Sequence, residues 1–468
     1  MPTLTIDGEK IEVPQGTLLI EAIRKRGHMV PHYCYHPKLT PAGNCRMCLV
    51  EVEKFPKLLA SCITPVSDGM VVHTGNDKVI NARKDVLEFM LINHPLDCPV
   101  CDRAGECGLQ NFYMEHSAIP SRFEEEKVTK PKKIPLGPLV MLDEERCILC
   151  TRCVRFCKEV PKVEELVMVE RGDQIKLTTY PGKDLENPYS LNTVDICPVG
   201  ALTDRDFRFK KRVWFLNETP SICPGCATGC NINIGHEGGV VYRLKPRENE
   251  AVNQCWMCDE GRTTYKESQT KDRLLEPRLR TGSALVPCTV EEAVSSALAG
   301  LQGLEGRTIG AIGSAQFTNE ANAALKDFAV RKCGSGDFLF SRRTPPQPTH
   351  DDLLISADKN PNTAGCISLG FKELNSDKRF RAFLILDTID PKILETMFFE
   401  KGHFIIQWAL RAAHILPQAD VVFPVAGFAE QTGTFVNSKG MAQKIHAAFP
   451  PRGQSRTVAD WLQLLEAM

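Results

Sequence analysis

The stretch "ERCILCTRCVRFCKEV", residues 145–160, sets Cys147, Cys150 and Cys153 at C-x2-C-x2-C spacing. Three thiolates spaced in this way wrap one face of a [4Fe–4S] cube, and a remote cysteine followed by proline completes the set. The segment "DICPVGAL" (195–202) supplies that pair as Cys197-Pro198. A second cube of this kind needs cysteines at positions 187, 190 and 193, where the chain has Asn187, Ser190 and Thr193. One cube is therefore expected. Cys157 is left over as a buried thiol.

Towards the N-terminus, "NHPLDCPVCDRAGECGLQN" (93–111) arrays His94, Cys98, Cys101 and Cys107 as H-x3-C-x2-C-x5-C. The run before it, "NDKVINARKDVLEFMLINH", repeats Val79, Ile80, Val86, Leu87, Met90 and Leu91 at helical spacing. A lone histidine is more often packed than ligating, but one at a helix end, four residues before a C-x2-C pair, is a ligand candidate. On the residues alone, both an iron–sulfur cluster and a zinc held by three cysteines and a histidine fit this array. Further upstream, "TLTI" and "KIEV" flank an Asp7-Gly8 turn and read as a hairpin. "TLLIEAIRKRG" reads as a helix with Thr17 at its N-cap and Gly27 at its end. Then come "PHYCYHPKLTPAGNCRMCLVEVE" (31–53) and "ASCIT" (60–64), which carry Cys34, Cys45, Cys48 and Cys62. Two strands, a helix and a cysteine loop are the layout of a plant-type ferredoxin with a [2Fe–2S] site, and a four-cysteine zinc site is the alternative. Pro41, Ala42, Gly43 and Asn44 are small enough to wrap the backbone round the sulfurs and give N–H bonds to them.

Towards the C-terminus, "SICPGCATGCNINIG" (221–235) holds Cys223, Cys226 and Cys230. "CWMCDEGR" (255–262) offers Cys255 or Cys258 as a fourth ligand. The turn of small residues after Cys258 favours it, Cys255 stays open, and a zinc ribbon is the alternative to a cube.

The chain has 468 residues, 43% hydrophobic and 25% charged, and a net charge of −1. That length implies three or more domains, and nothing in the charge points to a nucleic-acid partner or an anionic membrane surface. The segment "EEEKVTKPKK" (124–133) carries both signs and reads as a solvated linker. No apolar run is long enough to span a bilayer. The N-terminus has no secretory pattern, so a cytosolic setting is expected. There 20 cysteines point to metal rather than disulfides. Seventeen of them lie between Cys34 and Cys258, so a metal-rich front gives way to an ordinary rear. Cys288, Cys333 and Cys366, like Cys157 and Cys255, are expected as small buried hydrophobes.

The rear reads as alternating strands and helices, a doubly wound α/β domain. "TVEEAVSSALAGL" (289–301) is a helix with a Thr289/Glu292 capping box. "RTIGAIGS" (307–314) is a strand with Gly310 and Gly313 as strand-end turns, and "NEANAALKDFAVRKCG" is a helix closed by Gly334. "RAFLILDT" and "HFIIQWAL" are strands, and residues 419–443 end in loops. "GAIGSAQ" is not G-x-G-x-x-G and no phosphate-loop pattern occurs, so no NAD or FMN site is expected.

Taken together, the four motifs in this order resemble the family of large peripheral-arm iron–sulfur proteins (the G subunits) of bacterial NADH:quinone oxidoreductase, complex I, over residues 1 to about 270. The resemblance implies a [2Fe–2S] cluster on Cys34, Cys45, Cys48 and Cys62. It implies [4Fe–4S] clusters on His94, Cys98, Cys101 and Cys107; on Cys147, Cys150, Cys153 and Cys197; and on Cys223, Cys226, Cys230 and Cys258. In the family the last of these occurs only in some bacterial members and lies off the main electron route. The expected order is a β-grasp ferredoxin domain (1–77), a helical module of one histidine and three cysteines (78–120), a ferredoxin-like domain (138–215), a fourth cluster module (216–270) and a doubly wound α/β domain (271–468). The last resembles a shortened molybdopterin-oxidoreductase domain, without Cys or Ser in a molybdenum-ligand context, so no molybdopterin is expected. The implied role is electron transfer within a translocating oxidoreductase, with no substrate site on this chain. Electrons would come from a partner flavin subunit that oxidises NADH, and pass with other peripheral-arm iron–sulfur subunits towards a membrane quinone module. The implied place is peripheral, on the cytoplasmic face of the inner membrane. The competing readings are the diaphorase subunit of a soluble NAD(P)-linked hydrogenase, and a catalytic iron-only hydrogenase or formate dehydrogenase. The last two need cysteines or a full molybdenum domain that the rear lacks.

Overall fold

The structure, a computed structural model, describes residues 1–117, 120–304, 309–345, 347–374, 380–389, 393 and 403–467. Two compact units divide the chain between Phe215 and Leu216. The composition break expected near residue 271 thus falls inside the second unit.

In the first unit, β1 (Thr3–Ile6) pairs antiparallel with β2 (Glu9–Glu12). Asp7 and Gly8 take positive φ, 48° and 88°, as a two-residue hairpin turn demands. In α1 (Leu19–Lys25) the N-cap is Leu18, not Thr17, whose hydroxyl donates instead to the Pro14 carbonyl at 2.8 Å. Gly27 follows the helix at φ 83°, the left-handed conformation that glycine adopts without a Cβ penalty. β3 (Leu49–Val52), β4 (Leu59–Ala60) and β5 (Val71–His73) complete a mixed sheet of order β2-β1-β5-β3-β4. Leu19, Ala22 and Ile23 pack with Leu4, Val50 and Val72 to form its core. Each large aliphatic side chain so buried contributes about 1.5–3 kcal/mol.

α2 (Asp77–Leu91) starts at Asn76, whose side chain accepts from the Val79 N–H at 3.1 Å. Segment 124–133 is more than a solvated linker. The Lys127 ammonium donates to the carbonyls of Leu91 and Ile92 at 2.6 and 2.7 Å, satisfying the end of α2. Lys132 reaches Asp97 and Glu145. α3 (Gly108–His116) is followed by β6 (Ile134–Pro135), β7 (Val140–Leu142), α4 (Arg152–Glu159), the hairpin β8 (Leu166–Val169) and β9 (Lys176–Thr179), α5 (Asn192–Ile196) and β10 (Leu202–Asp204).

The second unit opens with an antiparallel meander of β11 (Asn217–Ile222), β12 (Asn231–Glu237) and β13 (Val240–Pro246), then α6 (Asp259–Thr263). β14 (Arg278–Thr281) and β15 (Ala284–Pro287) form a hairpin. α7 (Val290–Leu301) has the expected capping box, the Glu292 N–H donating to the Thr289 hydroxyl at 3.2 Å. β16 (Ile309–Ser314), α8 (Asn319–Cys333), β17 (Phe338–Ser341), α9 (Thr363–Ser368), β18 (Lys372–Glu373), β19 (Ala382–Leu386), β20 (Phe404–Ala409) and β21 (Val421–Pro424) follow. Positions 307 and 308 of the expected first strand lie outside the described residues. The parallel strands run β21-β20-β19-β16-β17-β18, with β14 and β15 added antiparallel at the β21 edge. Counted from the β18 edge, that is the doubly wound order 3-2-1-4-5-6.

Gly310 and Gly313 sit inside β16 rather than in turns at its end. A Cβ on Gly310 would overlap the Phe380 ring, and one on Gly313 would overlap Asn322 and Phe371. The glycines admit these side chains against the strand; they do not bend it. A last hairpin, β22 (Gly433–Val436) with β23 (Ala442–Ile445), lies where loops were expected, and α10 (Val458–Ala467) ends the fold. Helices α7, α8 and α10 cover one sheet face through Ala293, Leu325 and Trp461. The other face packs Phe383, Ile385 and Ile405 against Leu274 and Leu416. Among the described residues, no helix is long and apolar enough to cross a membrane.

Candidate metal centres

Cys34, Cys45, Cys48 and Cys62 are all buried, on the loops that flank β3 and β4. Their sulfurs touch one another. Hydrogen bonds from Cys45 and then Cys62 pull the Cys34 thiol down to about 2. A bond with Cys62 pulls Cys48 down to about 7. Cys45 and Cys62, which give those bonds, are pushed up. Backbone N–H groups of Cys45 and Asn44 are also aimed at the Cys34 sulfur, as the small-residue loop led one to expect. Gly43 and Arg46 hold positive φ of 66° and 57°, which turns the chain tightly enough to point successive amides inward.

His94 stands just beyond α2, Cys98 opens a single 3-10 turn ending at Val100, and Cys107 is the N-cap of α3. The N–H groups of Gln110 and Leu109 point at the Cys107 sulfur, so the positive end of α3 faces that sulfur. Burial lowers the His94 imidazole to about 4, so it is neutral at ordinary pH. Its Nδ1 is buried with no hydrogen-bond partner. An orphaned ring nitrogen is what a metal-binding histidine offers.

Cys147, Cys150, Cys153 and Cys197 line one small enclosed cavity whose other walls include Leu149, Met168, Leu177 and Val199. Leu149 and Thr151 take positive φ, 54° and 61°, which bulky and branched residues rarely adopt. The Leu149 and Arg152 amides thereby point at the Cys147 and Cys150 sulfurs. Burial pushes those two thiols up to about 12 and about 11. A set of buried neutral thiols gains by giving up its protons to a metal cluster. Cys157, also buried, lies on α4 outside this cavity.

In the second unit, Cys223, Cys226, Cys230 and Cys258 line a further enclosed cavity, and Cys255 is not among its walls. The Gly261 N–H donates to the Cys258 sulfur at 3.3 Å. A Cβ on Gly261 would stand 3.1 Å from the Cys223 sulfur, so α6 approaches the thiols closely because it carries glycine there. Cys255 and Cys288 are half-buried rather than fully buried, while Cys333 and Cys366 are buried as expected.

Among the described residues, no group of three or more His, Cys, Asp or Glu side chains is arranged to hold a metal ion. The case for clusters rests instead on sulfurs sharing a dry cavity with inward-pointing amides. The Cys147 and Cys223 groups meet both conditions; the Cys34 group has buried, touching sulfurs with amides aimed at Cys34, and the His94 segment has amides aimed at the Cys107 sulfur.

Charged residues between the sites could not be picked out from the cysteine pattern. Arg146, next to Cys147, is buried and forks onto Asp97, next to Cys98, at 2.5 and 3.2 Å. Arg152 and Arg155, on the first turn of α4, reach carbonyls of the Cys34 loop. Gly200 packs so closely on Cys101 that a Cβ would overlap its sulfur.

The carboxyl ends of the parallel strands border a cavity of about 560 Å³, lined by Gln316, Arg343, Asp387 and Gly427 among others. This is the crevice where doubly wound sheets bind ligands. Its cations are already paired: Arg343 with Asp387 at 2.8 Å and Glu267 at 2.7 Å, and Lys359 with Glu260 at 2.8 Å.

Comparison with known proteins agrees with this layout. Family models match for a 2Fe-2S iron-sulfur cluster binding domain (residues 1–77), the NADH-ubiquinone oxidoreductase-G iron-sulfur binding region (83–119) and the NADH-quinone oxidoreductase subunit 3 ferredoxin-like domain (137–203). A molybdopterin oxidoreductase Fe4S4 domain (216–269) and a molybdopterin oxidoreductase model (381–465) also match. The chain thus carries ferredoxin-like 2Fe-2S and several 4Fe-4S binding domains ahead of a molybdopterin-oxidoreductase domain. It is 42% identical over 338 residues to the G subunit of NADH-quinone oxidoreductase from Rickettsia bellii, covering 72% of this chain and 49% of that one. To the G subunit from Mycobacterium tuberculosis it is 43% identical over 362 residues, 76% of this chain and 45% of that one. The chain spans about half the length of the curated relatives it matches. A solved NAD+-reducing [NiFe]-hydrogenase chain in the H2-reduced state is 30% identical, covering 45% of this chain and 91% of that one, with a TM-score of 0.42.

Proposed function

This chain is a relative of the G subunits of the bacterial NADH-quinone oxidoreductases, and we propose that it serves such a complex as its electron relay. In this reading the ligand sets are Cys34/Cys45/Cys48/Cys62 for one [2Fe–2S] cluster, and His94/Cys98/Cys101/Cys107, Cys147/Cys150/Cys153/Cys197 and Cys223/Cys226/Cys230/Cys258 for three [4Fe–4S] clusters. When bound, such clusters take up and release single electrons without a bond to substrate. A partner flavin subunit oxidises NADH, other iron–sulfur subunits neighbour this one, and a membrane quinone module on the cytoplasmic face receives the electrons. The chain itself holds no FMN, NAD or molybdopterin. The five segments bounded at 77, 120, 215 and 270 are the domains of that relay.

The observation that carries the proposal is how directly the ligand residues of different sites are joined in the first unit. The carbonyl of Pro198, next to Cys197, accepts from the Gly108 N–H, next to Cys107, at 2.8 Å. One Arg155 nitrogen donates to the carbonyls of both Cys34 and Cys150. These bonds join the Cys34 loop to the Cys147 group, and that group to the Cys107 end of the His94 segment. Chains of a few bonds between ligands suit electron passage.

The test is metal analysis and EPR of the anaerobically purified complex. One binuclear and three cubane clusters imply about fourteen irons on this chain, with signals that appear on NADH addition. Zinc in place of iron, or turnover of hydrogen or formate by this chain alone, overturns the reading.

A further inference from the structure

The motif that placed Cys153 on α4 also puts two arginines, Arg152 and Arg155, on the same helical turn. Neither is explained by ligation. Arg152 donates to the Ile196 carbonyl at 3.0 Å, one residue before Cys197, and to the Tyr35 carbonyl, one residue after Cys34. Arg155 donates through Nη2 to the Cys34 carbonyl at 2.5 Å and the Cys150 carbonyl at 3.3 Å, and through Nη1 to the Thr40 carbonyl. The far end of α4 adds Glu159, which accepts from the Thr40 N–H at 2.8 Å. From the other side, the Asn44 amide donates to the Leu149 carbonyl at 3.1 Å. The bonds from α4 thus clamp the Cys34–Cys45 loop onto a helix that carries a sulfur of another site.

We infer that Arg155, with Arg152 beside it, is a positioning residue for electron transfer: its guanidinium joins the backbone of Cys34 to that of Cys150 and so fixes the spacing of the two sites. This rests on the relay reading above. A planar guanidinium holds the Thr40, Cys34 and Cys150 carbonyls in one fixed geometry, which an apolar chain cannot do and a freely rotating ammonium does less rigidly. Two permanent cations between two thiolate sets also favour the electron-rich state of both, since each added electron is added negative charge. The step they serve is the loss of one electron by the reduced [2Fe–2S] centre and its gain by the neighbouring cube. Neither arginine gives or takes a proton or an electron.

The test compares Arg155→Met and Arg155→Lys with wild type in the anaerobically purified complex. It reads iron content, the midpoint of the [2Fe–2S] EPR signal, and the relaxation of that signal by the reduced neighbouring cube, which reports their separation. In Arg155→Met we expect full iron, a several-fold weaker relaxation effect, and a [2Fe–2S] centre that is harder to reduce, because a nearby positive charge is lost. Arg155→Lys should restore the midpoint but not the relaxation effect. Unchanged relaxation in Arg155→Met with full iron overturns the inference. If Arg155→Met loses its iron, Arg155→Lys decides: weakened relaxation supports the clamp, and wild-type relaxation rejects it. Absence of both iron–sulfur signals from wild type itself would instead reject the relay reading.

Discussion

At the residue scale, the thiol sets can be proposed from sequence because ligand spacing is local chemistry: three cysteines two residues apart can face one cube whatever surrounds them. His94 is the informative exception among them. It is half-buried and neutral, and its buried Nδ1 has no hydrogen-bond partner. A neutral imidazole in place of a thiolate leaves its cluster less negative, so His94→Cys should lower the midpoint of that cluster alone in a redox titration. An unchanged or higher midpoint would count against ligation by His94. The choice between Cys255 and Cys258 was open in the sequence, because both follow the same spacing argument. The cavity walls favour Cys258, so Cys258→Ser should remove about four irons per chain, and Cys255→Ser none, by metal analysis. The arginines were not legible, since their partners lie far off in the chain: Arg155 meets Cys34.

A second residue-scale prediction concerns pH. Burial pushes His414 down, but hydrogen bonds to Asp387 at 3.0 Å and Glu267 at 3.2 Å outweigh it, and its pKa stands above the ordinary 6.5. A group raised in the folded state stabilises it fully below its unfolded pKa and stops doing so as pH rises through the folded one. Denaturation midpoints of wild type should therefore fall as pH climbs from 6.5 through the raised value. His414→Gln should flatten that fall. The opposite slope, or no difference between the two proteins, would show that His414 is not charged in the fold.

At the element scale, the Thr289 cap and the Asp7-Gly8 hairpin were read correctly, while the Thr17 cap was misplaced and the β22–β23 hairpin was missed. Thr289 and Glu292 announce α7 because capping is a short-range pattern. α8 is similar: the Thr318 hydroxyl accepts from the Ala321 N–H at 3.2 Å, and Thr318→Ala should cost about 1 kcal/mol in a denaturation experiment. β22 and β23 went unread because Asn437, Ser438 and Gly440 between them look like loop, and two four-residue strands show little alternation. The glycines of β16 misled for the same reason. A glycine in a turn and a glycine under a ring are alike in sequence; only the partner, Phe380 or Phe371, tells them apart. Gly200 makes the point at a site. It lies just after Cys197-Pro198, yet what excludes its side chain is Cys101, with Arg103 Cβ 3.2 Å away. Gly200→Ala should therefore damage the His94 group first, seen as loss of its EPR signal while the [2Fe–2S] signal persists. Equal survival of all signals would mean that the loop yields.

At the scale of the whole molecule, cysteine density points to a boundary near 271, while the compact units divide between 215 and 216. It tracks where metal is to be held, whereas a folding unit is defined by what packs together. Residues 216–270 carry cysteines like the front, but their backbone belongs to the rear. The Ala227 N–H donates to the Asp358 carbonyl at 2.9 Å, and the Ser438 N–H to the Ala227 carbonyl at 2.7 Å. The Gln443 side chain donates to the Gly229 carbonyl at 3.0 Å. Ile222 shares a core with Phe435 and Ile445. The fourth thiol set is thus built on the α/β unit, and the two placements of the boundary make different predictions about iron. A protease site inserted between Phe215 and Leu216, cut in the loaded protein, should give an N-terminal piece with about ten irons and a C-terminal piece with about four. A boundary near 271 predicts instead that all of the roughly fourteen stay with the front, and that a cut at 215 strips the last cluster from both pieces. Iron in the isolated C-terminal piece is the discriminating quantity. If that piece folds, by its circular dichroism, yet holds none, the Cys223 group needs the first unit after all.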